Sequence, residues 1–302
     1  MIAYGCPVTA PEIYERHARR GIESVAEPGA KVFGYRATSS IFRSCNIILD
    51  SAAACDDLEA LVLLHQDAEI ADARFNAKVR ELMRDPDVAV AGCIGAIGVR
   101  SIAWWEGAVT WASFIHRYGE FGGGDLPGFA WKAGEAPPYA RTGEVDAVDG
   151  FLMVLSPWTV RNVRFDESLG RLHGYDLDFC LQVRAAGRKV VTADLRAVHN
   201  HSLDLVSDPE DWAEAHMRIA EKWEGRMPGI GQGGRDWKQR ARRAEAEAEA
   251  ARASAVSKQL QLEAREREYR RIADEIEESI SWRITAPLRR ANHWRRTTLR
   301  RR

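Results

Sequence analysis

The chain has 302 residues and a mass of 33.8 kDa; 45% of its residues are apolar and 29% charged, enough apolar material for a sizeable core, which excludes wholesale disorder. The formal net charge of −1 conceals an asymmetry: residues 1–235 carry 25 basic and 33 acidic side chains, net −8, whereas residues 236–302 carry 18 and 11, net +7. Five cysteines (Cys6, Cys45, Cys55, Cys93, Cys180), widely spaced and without a CxxC pair, exclude a disulfide framework and a cysteine zinc site and fit a reducing cytoplasm.

The opening MIAYGCPVTAPE has neither a basic region nor a long apolar one, so no signal peptide is expected there. Ile2 to Cys6 reads as a short strand stopped by Pro7, and Thr9-x-x-Glu12 as a capping box opening a helix. Lys31 to Tyr35 is a second strand and Ser39 to Ile48 a second helix. Leu61 to Leu64 is a continuous apolar run, the mark of a strand buried on both faces, and it ends abruptly in His65-Gln66-Asp67. Phe75 to Met83 has helical spacing, Asp85-Pro86 breaks it, and Val88 to Ile94 is another buried strand. The apolar stretch from Val88 to Val99 is too short to cross a bilayer.

From Gly95 to Glu144 regularity fades into Trp, Gly and Pro, an irregular stretch of a length that usually serves function. Gly150 to Ser156 is again an apolar strand. Phe179, Val183 and Ala186 mark a helix that Gly187 ends, and Lys189 to Thr192 is a strand followed by His199-Asn200-His201. Strands alternating with helices predict a mostly parallel sheet with helices on both faces. Residues 236–280 contain no proline or glycine and predict a long exposed helix or coiled coil, with an apolar seam at 269, 272, 276 and 280.

Asp67 follows a buried strand, where open α/β sheets bind ligands, yet on position alone a helix cap is an equal reading. Asp176 and Asp178 open a helix and suit its dipole as caps. His199 and His201 project to one side if the strand continues. Their co-occurrence after successive strands favours one shared rim. The glycines Gly92, Gly95 and Gly98 are spaced GxxGxxG, not GxGxxG, and no P-loop, GxSxG elbow or HExxH occurs, which argues against the commonest dinucleotide, NTPase, hydrolase and zinc-protease readings.

LVLLHQDAEI (61–70), WWEG (104–107), EVDAVDGFLMVLSP (144–157), FDESLGRLHGYDLDFCLQVRAAGRKVV (165–191) and AVHNHS (197–202), in that order, resemble the GT-A glycosyltransferases, and more narrowly a family 2-like branch with HQD in place of DxD. The resemblance, which covers about residues 1–220, implies a GT-A, Rossmann-like α/β domain over 1–225; composition adds a helical extension over 236–282 and a basic tail over 283–302. It implies a nucleotide-diphosphate-sugar donor, a divalent metal (Mn²⁺ or Mg²⁺) and inverting transfer to a hydroxyl of a glycan, lipid-linked or protein acceptor in cell-envelope or other glycan assembly.

By the same resemblance Asp67 is a metal ligand, His199 the second, with His201 in reserve. Asp176 takes the place of the catalytic base, Tyr175 replaces the acid usually before it, and Asp178 reads as structural. Cys6, Pro7, Arg36 and Asn46 fall where the nucleotide lies, with His65 and Gln66 beside the ribose and phosphates. Asp149, Gly150 and Glu106 border the donor sugar, and the glycines at 122–124 the acceptor. The departures at His65 and Tyr175 leave open a rival: a catalytically degenerate sugar-nucleotide-binding scaffold acting through its coiled coil and tail.

SISWRITAPLRR (279–290) is similar to a segment that follows coiled coils in bacterial surface-polysaccharide glycosyltransferases. Eight arginines and no acid lie between Arg283 and Arg302, interleaved with Leu288, Trp294 and Leu299. A solvated basic end is the plain reading. Peripheral contact with an anionic membrane from the cytoplasmic side is the functional one, with self-association through the coiled coil; the acidic globule disfavours nucleic acid.

Overall fold

The computed structural model describes residues 1–99, 108–109, 114–118, 143–201, 209–223 and 259–279, with 282, 284, 285 and 287. The chain divides into two compact units, Met1–Ala253 and Ser254–Arg302. In chain order the first unit holds β1 (Ile2–Val8), α1 (Pro11–Arg16), α2 (Ala18–Val25), β2 (Val32–Arg36), α3 (Ile41–Ala53), β3 (Ala60–Leu64), β4 (Ala68–Ile70), α4 (Phe75–Leu82), β5 (Val88–Gly92) and β6 (Gly95–Ile97). There follow β7 (Ala108–Val109), β8 (Phe114–Tyr118), β9 (Ala147–Val148), β10 (Leu152–Leu155), α5 (Pro157–Asn162), α6 (Tyr175–Ala185), β11 (Lys189–Thr192), β12 (Ala197–His201) and α7 (Pro209–Trp223).

The main sheet has the order β11-β5-β10-β3-β1-β2. Five strands run one way; β10 alone is antiparallel to both neighbours, β3 and β5. The fold class is therefore the one expected, α/β with a mostly parallel sheet. The apolar runs are central strands because every residue of β3, β5 and β10 is buried, as strands covered on both faces must be. Tyr4, Phe42, Phe151, Phe165 and Phe179 are among the largest fully buried side chains.

Two small sheets, β4-β12-β8 and β7-β6-β9, flank it. In the first, β12 pairs antiparallel with β4, setting His199 opposite Ala68. His199 is thereby brought beside Asp67, the last residue of the loop between β3 and β4.

Two local expectations are corrected. Pro7 does not stop β1, which runs on to Val8 with Pro7 in register with Tyr35. Nor does Thr9 form a capping box with Glu12: Ala10 is the N-cap of α1 and its own side chain makes no cap bond, and Pro11 stands in the first helical turn. The cap comes from afar, since the Gln66 Oε1 accepts the N–H groups of Thr9 and Ala10, both at 2.8 Å.

Asp178 is fully buried in α6 and accepts from the Trp223 indole N–H (2.8 Å), the Gln182 amide (2.7 Å) and Lys222 Nζ (2.8 Å). These contacts tie α7 to α6 within the first unit, so Asp178 is a structural residue. In the second unit, residues 259–278 are helical and largely exposed, with Arg270–Glu266 and Arg271–Glu268 pairs along the surface. Residues 236–258 and most of the basic tail lie outside the described residues. Among the described residues no helix is long and apolar enough to cross a membrane.

Asp178→Ala should lower unfolding free energy by about 3 kcal/mol, the low end for breaking a buried ion pair, because Lys222 keeps Asp166 at 2.6 Å. Urea unfolding followed by tryptophan fluorescence checks the value, and a loss under about 1 kcal/mol, an ordinary single hydrogen bond, would deny Asp178 this role.

Candidate functional site

The carboxyl end of β3, the turn before β10, the start of α6 and β12 meet on one rim of the sheet. His65 donates its backbone N–H to the Phe151 carbonyl (2.9 Å), fastening the end of β3 to the entry of β10. The Asp67 carbonyl accepts from the Asn200 backbone N–H (2.9 Å) and side chain (3.1 Å), fastening the same loop to β12.

These ties bring three ligand-bearing side chains together. His199 Nε2 lies 3.5 Å and His65 Nδ1 4.0 Å from Asp67 Oδ1, and one ligand atom of each residue falls within 4.8 Å of the others. His199 is buried and stacks on Phe151, with ring centroids 4.6 Å apart and planes at 9°. One carboxylate and two imidazoles, converging from a fixed loop and a fixed strand, suit a divalent cation that accepts oxygen and nitrogen ligands. The donor set therefore fits the metal that the resemblance implies. His201 ends β12, but its side chain lies outside the described residues, as do Trp105, Glu106 and the glycines at 122–124.

Asp176 opens α6 and is buried; its carboxylate accepts from the N–H groups of Gly150 (3.0 Å) and Leu177 (2.9 Å). Burial, and then the charge of Asp149, push its carboxyl up to about 7. Asp149, which accepts from the Phe151 N–H at 2.9 Å, is raised too, by burial against the opposing pull of His199. Gly150 is indispensable between them, because a Cβ there would stand 2.1 Å from the Tyr175 hydroxyl. That hydroxyl lies 2.6 Å from His65 Nε2. The two residues that depart from the pattern of the family the sequence resembles are thus hydrogen-bonded to each other, a contact that nothing local in the sequence signals.

The remaining sequence candidates divide. Pro7 lines a small apolar cleft together with Ile41, Cys45, His65, Gly150 and Tyr175. Arg36 is exposed at the end of β2, in register with Val8. Cys6 is fully buried and its thiol is pushed far up by burial, so its side chain belongs to the core and only its backbone can meet a ligand. Asn46 holds the Phe165 backbone at both ends of its amide, each bond 2.9 Å, and Gln66 caps α1; both therefore brace the rim.

Residues 11–221 match the family described as glycosyltransferase like family. The streptomycin biosynthesis protein StrF of Streptomyces griseus is 33% identical over 227 residues, 72% of this chain and 73% of that protein. The solved structure of the mannosyltransferase PcManGT from Pyrobaculum calidifontis, in complex with GDP-Man and Mn²⁺, is similar at 14% identity and a TM-score of 0.46, covering 94% of this chain and 82% of that one. GalNAc-T7 with UDP, GalNAc and Mn²⁺ is similar at 12% identity and a TM-score of 0.48, over 74% of this chain and 48% of that one.

Because Asp176 has a higher pKa folded than the ordinary carboxylate value of about 4, folding favours its protonated form. Its contribution to stability is complete below about pH 4 and is lost as pH rises to about 7. In metal-free buffer the Tm of Asp176→Asn relative to wild type should therefore climb from pH 4 to 7 and then level off. A difference that stays flat across that range would contradict the placement of the charge.

Proposed function

The chain belongs to the glycosyltransferase-like family that its residues 11–221 match, and we propose from this premise that it is a divalent-metal-dependent, inverting transferase. Its donor is a nucleotide-diphosphate sugar and its acceptor a hydroxyl group. The observation that carries the proposal is the convergence, on one sheet rim, of the His65–Asp67–His199 group with the Asp149–Asp176 carboxylates.

Asp67 and His199, with His65, would hold the cation. A divalent ion there supplies charge neutralisation to a departing diphosphate. Asp176 accepts the acceptor hydroxyl's proton as the new glycosidic bond forms, and the N–H groups of Gly150 and Leu177 fix the orientation of its carboxylate. A base pushed up to about 7 is ionised in a large fraction at neutral pH and still basic enough to take a proton. In this reading Pro7 and Arg36 would meet the nucleotide and Asp149 and Gly150 the sugar; Pro7 and Gly150 line the same small cleft as His65.

The departures at His65 and Tyr175 speak for the degenerate-scaffold reading. Their pairing at 2.6 Å on the same rim as Asp67, Asp176 and His199 supports the enzyme instead. The acceptor belongs to cell-envelope or other glycan assembly. The relative named for streptomycin biosynthesis favours a second acceptor class, an intermediate in antibiotic assembly. The basic tail, with eight arginines after Trp282, would hold the protein peripherally on an anionic membrane from the cytoplasmic side.

Asp176→Asn should lower transfer by roughly 10²–10⁴-fold while leaving sugar-nucleotide affinity unchanged, and the wild-type rate should rise with pH to a plateau above about 7. Asp67→Ala should weaken Mn²⁺-dependent donor binding as well. Turnover with and without Mn²⁺ and donor titrations read both effects; a fully active Asp176→Asn would remove the base from this position. Removal of residues 236–302 should abolish co-sedimentation with anionic liposomes, and equal binding by the truncated and full chains would end the membrane reading.

A further inference from the structure

His65 is held at three points. Its N–H donates to the Phe151 carbonyl, its carbonyl accepts from the Ala68 N–H (3.1 Å), and its Nε2 meets the Tyr175 hydroxyl at 2.6 Å. Tyr175 is itself immobilised: it is buried among Phe42 and Phe165, with its hydroxyl end against Gly150. A ring fixed in this way has one nitrogen committed to the phenol and the other, Nδ1, turned toward Asp67.

The geometry points to Tyr175 as a positioning residue that makes His65 a third protein ligand of the cation site. The inference rests on the divalent-cation reading above and deepens it. When the Tyr175 oxygen accepts from Nε2–H, Nδ1 is the unprotonated nitrogen and so the one that can ligate a metal, the arrangement in which outer partners of a ligating histidine fix its tautomer and ring orientation. Ligand atoms about 2.1 Å from a common ion lie roughly 3.0–4.2 Å from one another. The separations of 3.5 and 4.0 Å from Asp67 Oδ1 fall inside that span.

The chemical consequence is metal choice. Mg²⁺ takes oxygen ligands and parts reluctantly with water, whereas imidazole suits first-row transition ions. Replacing a carboxylate by His65 thus turns the site from Mg²⁺ toward Mn²⁺ and its neighbours, and Tyr175 holds it there.

The test is direct Mn²⁺ binding to the full chain, read from the electron paramagnetic resonance of free Mn²⁺, with Mg²⁺ as competitor. Tyr175→Phe keeps the ring and should raise the Mn²⁺ Kd about tenfold, with a smaller change for Mg²⁺. His65→Ala should do at least as much, and the double variant no more than His65→Ala alone, because Tyr175 acts through His65. His65→Asp should restore tight binding with the preference moved toward Mg²⁺. Unchanged Mn²⁺ affinity in Tyr175→Phe, losses that add in the double variant, or no Mn²⁺ binding by wild type would each overturn the inference. If the cycle behaves as expected and yet no sugar nucleotide is turned over, the positioning role stands and the transferase reading falls.

Discussion

The loop of three residues that leaves β3 is held by three different parts of the fold, and the rest of the rim depends on that constraint. His65 is tied to Phe151 and Tyr175, Gln66 to Thr9 and Ala10, and Asp67 to Asn200. Each bond closes a long span of chain, so forming them carries a loop-closure cost that the buried sheet beneath must offset. The return is a loop whose backbone and side chains are fastened in place, the pre-organisation that the proposed cation site would use. The short β4 completes the device by pairing with β12 and so carrying His199 to Asp67.

Such an arrangement concentrates acid where solvation is poor. Asp149 and Asp176 are both raised, each chiefly by burial, and Asp67 adds to the charge around Asp149. Buried carboxylates without compensation destabilise a fold, and backbone N–H groups from Gly150, Phe151 and Leu177 offset only part of the cost. In the proposed reaction a cation held by Asp67 and His199 and a proton taken up by Asp176 would offset that cost. Local cost at a site of chemistry is the expected exception to an otherwise consistent fold.

Much of the fold is legible in the sequence because central strands buried on both faces carry unbroken apolar runs: LVLL, VAVAG and LMVL are β3, β5 and β10. Strand direction is not written in such runs, so the reversal of β10 was hidden. The strand reading of Gly150 to Ser156 passes over α5, which Ser156 opens by accepting from the Thr159 N–H ahead of a proline in the first turn. The cap of α1 was not readable, because Gln66 stands 57 residues away from Thr9. The same limit governs the site. Asp67, His199 and Asp176 are singled out by motif and resemblance, whereas the bond between His65 and Tyr175 joins residues 110 apart and exists only once β3 and α6 are packed.

The central claim is that the end of β3 and the strand β12 build a cation site for a nucleoside diphosphate. Anomalous diffraction from crystals of the full chain grown with Mn²⁺ and a nucleoside diphosphate tests it most directly. The account predicts a single strong manganese peak at bonding distance from Asp67 and His199, with Nδ1 of His65 facing it and diphosphate oxygens on the far side. Manganese bound elsewhere, with Asp67 and His199 turned away from it, would contradict the account.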